Sequence, residues 1–382
     1  MVYLATVDLS IRFLLLDQLV HLRQVGCEVQ AACAAGPWVD DIRAAGIELY
    51  HVPLRREISP LADLVALVRL VRLFRRLRPD IVHTHTPKAN LVGRLAARLT
   101  RVPLVAATEH GFYFYGMTGA ARWFWVMLAR LGAAWSDVVF LYNREDVETA
   151  CREGIVRPDR TVYVPGGLGV DLARFAPDQD PAAARRALGL PREAPTVGIV
   201  GRLTWEKGYR EFLRAAAQVR QAVPDCRFLA VGPADRQEDR DFRSFVMSLG
   251  LDDVVTFTGM HTDMPQVYAA MDVMCLPSYR EGLPVVLMEA AAMGLPTVAT
   301  DIRGCRDVVV DGVTGLLVPP RDHQAVAEAL IRLLTDPARA RAMGAAARKR
   351  AEEVFDQRLV FAQVEGEYQR RLAAKGKPWP GR

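Results

Sequence analysis

The sequence predicts an α/β protein of two doubly wound domains facing each other across a central cleft. Three observations carry this expectation. Short apolar runs alternate with longer amphipathic stretches, the alternation comes in two series, and a polar, proline-rich segment separates the series. Alternation of this kind builds parallel sheets with helices on both faces. The 382 residues, 51% hydrophobic and 24% charged, suit two or three domains and disfavour a disordered chain.

The first series places strands at 2–6, 29–32, 47–52, 81–85, 104–108, 138–142 and 161–164. The second places them at 196–200, 227–231, 254–257, 273–276, 297–299 and 316–318. Stretches such as 208–222 and 322–334 are long enough for crossover helices. The seam falls in 175–195, where PDQDPAAARRALGLPREAP precedes the strand TVGIVG, so the domains are expected at 1–175 and 176–357. After the second sheet, Leu359, Val360, Val364 and Tyr368 recur at helical spacing, which predicts a terminal helix returning to the first domain as part of 358–382. No repeat at solenoid periods is visible. Ligands of open parallel sheets bind beyond the carboxyl ends of the strands, which makes the cleft the expected site.

A membrane span needs about 20 nearly uninterrupted apolar residues. The longest candidate, 282–300, contains Pro284, Glu289 and Pro296. The N-terminus has no basic leader and carries Asp8 and Arg12, so it reads as a first strand and loop rather than a secretory signal. Six scattered cysteines without a CxxC pair suit reduced core thiols in a cytoplasmic protein. The net charge is +5, and the window 55–78 alone holds seven arginines against Glu57 and Asp63, an excess as large as that of the whole chain. There Leu67, Leu70, Val71, Phe74 and Leu77 form an apolar stripe beside Arg69, Arg72 and Arg76. The pattern fits a basic helix lying on an anionic membrane and, equally, a solvated helix packed on the sheet. Nucleic acid is disfavoured, because no reader motif accompanies the arginines.

Two segments carry chemistry. In SYREGLPVVLMEAAAMGLPTVATD a strand ends, a loop holds Glu281, Gly282, Leu283 and Pro284, and a helix begins at or near the proline. Backbone amides at such a helix start favour an anion such as a diphosphate. Glu281 and Glu289 stand eight residues apart, about 10 Å along a helix, which suits the two ends of an extended ligand better than one bond. In GIVGRLTWEKG, Arg202 and Lys207 follow a buried strand and are placed to neutralise a leaving diphosphate. The segment is neither a Walker loop nor a full GxGxxG, which disfavours ATP and dinucleotide chemistry. Taken singly, a favourable acid at a helix start and solvated surface cations explain these residues as well.

His83 and His85 lie one strand period apart and face the same way, as cleft-lining or core histidines rather than a metal site, for which no third ligand is evident. The stretch GFYFYGMTGAARWFWVML reads as core with a helix, or as an apolar rim for a lipid.

Together these segments resemble the family 4 retaining glycosyltransferases, which have the two-Rossmann GT-B fold. The resemblance runs through ATVDLSIRFLL, PDIVHTHTPKANLVGRLAA, TEHGFYFYG, PGGLGVDLARF, GRLTWEKG, EGLPVVLME and VVVDGVTGLLVPPRD. HTHTPKA and HGFYFY look like bacterial enzymes that extend undecaprenyl-diphosphate-linked sugars. By that resemblance Arg202 and Lys207 hold the donor diphosphate and Glu281 contacts the donor sugar. The backbone of Gly282, Leu283 and Pro284 lines sugar and phosphate, Glu289 takes the ribose, and Thr258, Gly259 and Met260 flank the base. His110 matches the sugar-contacting histidine, and Asp8, Ser10, His85 and Lys88 fall on the acceptor side. Many relatives have a glycine pair where this chain has Asp8, Leu9 and Ser10.

The resemblance thus implies transfer of a sugar from a UDP-sugar, with GDP-mannose as an alternative donor, to a lipid-linked saccharide at the cytoplasmic membrane face. Arg202, Lys207, Glu281 and His110 are the expected catalytic groups, and no metal or other cofactor is expected. A UDP-sugar 2-epimerase on the same fold is the nearest rival, distinguished by turnover without an acceptor. A non-catalytic sugar-nucleotide sensor is a third reading, which binding without turnover would select.

Overall fold

The computed structural model describes every residue except Arg56, Ile58, Asp235 and Arg382, so one arginine of the basic window lies outside the described residues. The chain divides into two compact units, Met1–Leu168 with Arg358–Arg382, and Gly169–Gln357.

In the first unit, β1 (Val2–Val7), β2 (Gln30–Ala34), β3 (Glu48–His51), β4 (Ile81–His85), β5 (Leu104–Glu109), β6 (Val138–Leu141) and β7 (Thr161–Tyr163) form one parallel sheet in the order β3-β2-β1-β4-β5-β6-β7. The second unit repeats the plan. Here β8 (Thr196–Val200), β9 (Arg227–Val231), β10 (Val255–Gly259), β11 (Val273–Leu276), β12 (Thr297–Thr300) and β13 (Gly315–Val318) run β10-β9-β8-β11-β12-β13, again all parallel. Each expected strand is present, with ends differing by at most two residues. The central strands are buried on both faces, which is why they read as unbroken apolar runs rather than alternating ones. Strand order reverses between β1 and β4 and between β8 and β11, the switch points beside which such sheets bind ligands.

The first unit ends at Leu168 rather than at 175. The reason is packing: Val170 bridges Asp356, and Phe175 lies 6.1 Å from the Tyr268 ring inside the second unit's core. The terminal helix, Gln357–Ala373, buries Val360, Phe361, Val364, Tyr368 and Leu372. The Tyr368 hydroxyl bonds that of Tyr3 on β1 at 2.8 Å.

The basic helix, Pro60–Leu77, packs its stripe inward. Leu70 and Phe74 are buried in the sheet-side core, where Leu67, Val71 and Leu77 pack against them, so of the two readings of the stripe the sheet-packed one holds. Its outer face carries a second apolar set that the sequence reading passed over. Leu61 is 81% exposed, and Leu64, Val65 and Val68 are also exposed, followed by exposed Arg69, Arg72, Arg75 and Arg76. The Gly119–Ala134 helix is similarly two-sided. Its Val126 is buried, and so are Phe112 and Phe114 just ahead of it, whereas Trp123, Phe124, Met127 and Leu131 are exposed at helical spacing. The aromatic stretch is therefore core on one side only.

All six cysteines are free thiols, five of them buried.

Candidate active site

In the second unit the loops after β8 and β11 meet. A short turn, Trp205–Lys207, leads into the Tyr209–Ala222 helix through Gly208, whose φ is +78°. A Cβ at Gly208 would stand 2.0 Å from the Pro277 carbonyl oxygen, so only glycine lets the two loops approach this closely. The Tyr279 amide then donates to the Glu206 carbonyl at 2.9 Å. Lys207 Nζ donates to Glu281 Oε1 at 2.6 Å, joining two of the expected catalytic residues. Behind them the Tyr279 hydroxyl bonds both carboxylate oxygens of buried Glu211 at 2.8 Å. Burial, with the Glu211 bond next, pushes the Tyr279 phenol up to about 12.

Pro284 is the residue before the first helical turn of Val285–Ala292 and keeps an extended backbone, so Gly282, Leu283 and Pro284 form the loop that opens onto the helix start. The Glu281–Gly282 backbone is set by Gly304, whose added Cβ would meet the Gly282 carbonyl oxygen at 2.3 Å. Glu289, on that helix, accepts from the Tyr268 hydroxyl at 2.7 Å. Burial raises its carboxyl to about 7, while the Tyr268 bond and the Arg174 charge pull the other way. Arg174 also donates to the Thr262 carbonyl at 2.9 Å, just beyond Thr258, Gly259 and exposed Met260 at the end of β10. Arg202 is exposed at the end of β8. Tyr268 and Arg174 were not singled out from the sequence. Arg174 sits in the PGGLGVDLARF segment, which gave no hint of its role, Tyr268 lies in no such segment, and only the fold brings them to Glu289.

In the first unit β4 and β5 align three histidines. His85 Nδ1 lies 3.2 Å from His110 Nε2, and the His83 and His85 rings lie 4.1 Å apart, tilted by 38°. His83 is a satisfied core residue, bonded to Tyr368 and, at 2.8 Å, to Thr108. His85 Nε2 has no partner. Burial lowers all three ring pKa values, and His110 falls to about 4, so the cluster is neutral near pH 7. Among the described residues no three His, Cys, Asp or Glu side chains are grouped to hold a metal ion.

The acceptor-side residues are not all free to meet a ligand. The Asp8 carboxylate is buried and accepts the Leu9 and Trp38 amides, each at 2.8 Å, so it braces the first loop. Ser10 is buried within that loop. Lys88 Nζ donates to Asp63 at 2.6 Å, tying the Pro87–Leu99 helix to the Pro60–Leu77 helix.

The fold matches solved structures along almost its whole length. Against Anabaena Alr3699/HepE in complex with UDP and glucose the TM-score is 0.84, covering 96% of this chain and 98% of that one at 21% identity. Against sucrose-phosphate synthase from Thermosynechococcus elongatus it is 0.83, covering 98% and 99% at 25% identity. The architecture is that of the GT-B glycosyltransferases. Residues 14–167 match the "Glycosyl transferase 4-like domain" and residues 194–336 match "Glycosyl transferases group 1". Among curated proteins, the chain is 30% identical to UDP-Gal:alpha-D-GlcNAc-diphosphoundecaprenol alpha-1,3-galactosyltransferase of Escherichia coli, over 81% of this chain and 80% of that one. It is 25% identical to the capsular polysaccharide biosynthesis glycosyltransferase CapM of Staphylococcus aureus, over 96% of each. The chain belongs to the family 4 glycosyltransferases of GT-B fold.

Proposed function

We propose that this glycosyltransferase is retaining and moves a hexose or N-acetylhexosamine from a UDP-sugar onto a lipid-linked saccharide, in surface polysaccharide or glycan assembly at the cytoplasmic face of the membrane. The observation that carries this reading is the 2.6 Å Lys207–Glu281 contact beside the start of the Val285–Ala292 helix. It brings a cation, a carboxylate and helix-start amides to one place, the groups that a sugar diphosphate needs. The UDP named for the E. coli relative and present in the HepE complex supports the donor.

In this reading Arg202 and Lys207 neutralise the diphosphate, Glu281 orients the sugar hydroxyls and Glu289 accepts from the ribose. Gly259 and Met260 lie against the base. The acceptor hydroxyl bonds to the anomeric carbon on the face from which the diphosphate departs. The anomeric carbon–oxygen bond breaks, its electron pair stays on the leaving diphosphate, and the hydroxyl proton passes to that phosphate oxygen. Positive side chains and helix-start amides stabilise the charge that develops. A neutral His110 contacts the sugar as a hydrogen-bonding group rather than a cation.

No helix among the described residues is long and apolar enough to cross a membrane. We place the first unit on an anionic bilayer through exposed Leu61, Leu64, Val65 and Val68, with Arg69, Arg72, Arg75 and Arg76 behind them.

The test is a panel of nucleotide sugars scored by suppression of thermal unfolding, then by transfer to a prenyl-diphosphate-linked sugar. A UDP-sugar is expected to stabilise the protein and to give a product of unchanged anomeric configuration. An inverted product overturns the mechanism, and full transfer by Lys207→Ala overturns the site.

A further inference from the structure

Tyr279 is bonded at both of its ends to the stretch of chain that carries Lys207. Its amide donates to the Glu206 carbonyl at 2.9 Å, and its hydroxyl lies 2.8 Å from each carboxylate oxygen of Glu211. Glu206 comes just before Lys207, and Glu211 lies in the first turn of the Tyr209–Ala222 helix that follows, so the two bonds flank the lysine. In its own loop, Tyr279 stands just ahead of Arg280 and Glu281. The Arg321 guanidinium lies over the Tyr279 ring, 4.9 Å from its centre, and holds it from the other side. The phenol keeps its proton at neutral pH, so the hydroxyl donates and the carboxylate accepts.

Burying Glu211 costs stability. It is 5% exposed, and among the described residues its carboxylate has the Tyr279 hydroxyl as its hydrogen-bond partner. A carboxylate offers about four acceptor sites, whereas one phenol supplies one proton. A leucine of similar volume would avoid taking a charge out of water. The helix dipole favours an acid in this turn, but an exposed acid would gain from it without losing hydration. What the carboxylate adds is a fixed point for the phenol, and through it for the loop that carries Glu281. The Lys207–Glu281 contact cannot serve that purpose throughout the reaction. A diphosphate draws Lys207 Nζ toward itself, which leaves Glu281 without its cation and next to a new negative charge. The two Tyr279 bonds use neither side chain and stay in place.

We infer that Tyr279 and Glu211 are positioning residues for the transfer step, which together hold Glu281 at the donor sugar once Lys207 has engaged the diphosphate. This rests on the glycosyltransferase reading, which supplies the roles of Lys207 and Glu281. The pair touches no part of the donor itself, so its loss slows transfer without weakening the hold on the nucleotide.

The test on the full chain combines three measurements: UDP affinity by calorimetry, amide hydrogen exchange across 278–283, and transfer kinetics. Transfer is measured from UDP-glucose, UDP-galactose and UDP-N-acetylglucosamine to a prenyl-diphosphate-linked sugar. Tyr279→Phe and Glu211→Leu are each expected to lower kcat about tenfold, with the UDP Kd unchanged and faster exchange confined to 278–283. The double variant should be no slower than the slower single one, because the two residues act as a unit. Glu211→Gln keeps an acceptor for the phenol and should restore most of the rate. Circular dichroism reports whether each variant is folded, and Tyr279→Phe, which preserves the ring, guards against a misfolded Glu211→Leu. Wild-type kcat and wild-type exchange in Tyr279→Phe overturn the assignment. So does a joint fall in UDP affinity, rate and protection throughout the second unit, which marks general support of the fold. No transfer by the wild type strikes the glycosyltransferase reading instead, and unchanged exchange across 278–283 in Tyr279→Phe then strikes this one separately.

Discussion

At the scale of residues, the Lys207–Glu281 pair and Glu289 behave as opposite electrostatic cases. Glu281 is 9% exposed and has a cation 2.6 Å away. Lys207→Ala leaves that carboxylate enclosed without its partner, and is expected to cost about 1–3 kcal/mol of stability with a fall in transfer rate on the order of 100-fold. Thermal unfolding and steady-state transfer separate the two effects. Glu289 instead has a carboxyl raised to about 7 by burial. Between the ordinary carboxylate value and about 7 the unfolded chain is ionised while the folded one holds its proton, so stability falls as pH rises through that window. Glu289→Gln removes this penalty, and should be more stable than the wild type by about 1–3 kcal/mol at pH 8, with no difference near pH 4. On the ribose-binding role proposed for Glu289, the same titration sets donor affinity, which should drop as pH falls below about 7 in the wild type and stay flat in the variant, measured by calorimetry with UDP.

At the scale of elements, legibility followed burial. Strands such as β8 and β11 are enclosed on both faces, so their apolar runs announced them. The Pro60–Leu77 helix was harder, because it is apolar on two sides and sequence spacing alone does not say which side meets the sheet. Leu67, Leu70 and Phe74 consequently fitted bilayer and sheet equally well, and Leu61, Leu64, Val65 and Val68 were passed over. Two experiments follow from this geometry. Changing Leu64, Val65 and Val68 together to Ser should abolish sedimentation with anionic vesicles while lowering the melting temperature far less than a change at buried Leu70 or Phe74, since all three are exposed. Gly208→Ala, by contrast, forces a side chain onto φ +78° and against the Pro277 carbonyl. It should cost at least about 2 kcal/mol and lower transfer activity, because Lys207 and Glu281 no longer approach.

At the scale of the whole molecule, the motif segments pointed to Arg202, Lys207, Glu281 and Glu289, but not to the residues that hold them. Tyr268, Gly304 and Glu211 lie in unremarkable sequence and reach the site only through tertiary packing. The terminal helix shows the same limit: its spacing was legible, but the bonds from Tyr368 to His83 and Tyr3 were not. Ending the chain at residue 357 removes those partners, and should lower the melting transition of the first unit while leaving UDP binding by the second in place, read by calorimetry with and without UDP.

The chain leaves the first unit after Leu168 and re-enters it at Arg358. Beside those crossings, within the second unit, the Val170 amide donates to the Phe355 carbonyl at 2.7 Å and the Gln357 amide to the Val170 carbonyl at 3.0 Å. Gly169 lies so close to Gln357 that a Cβ there would stand 2.4 Å from its Cα. The second unit is thus an insert whose two ends are already clasped. Such an insert invites excision: a fragment spanning 169–357 should need no linker to close it, and the clasp makes a natural joint for grafting a donor module of one specificity into the loop of another acceptor module.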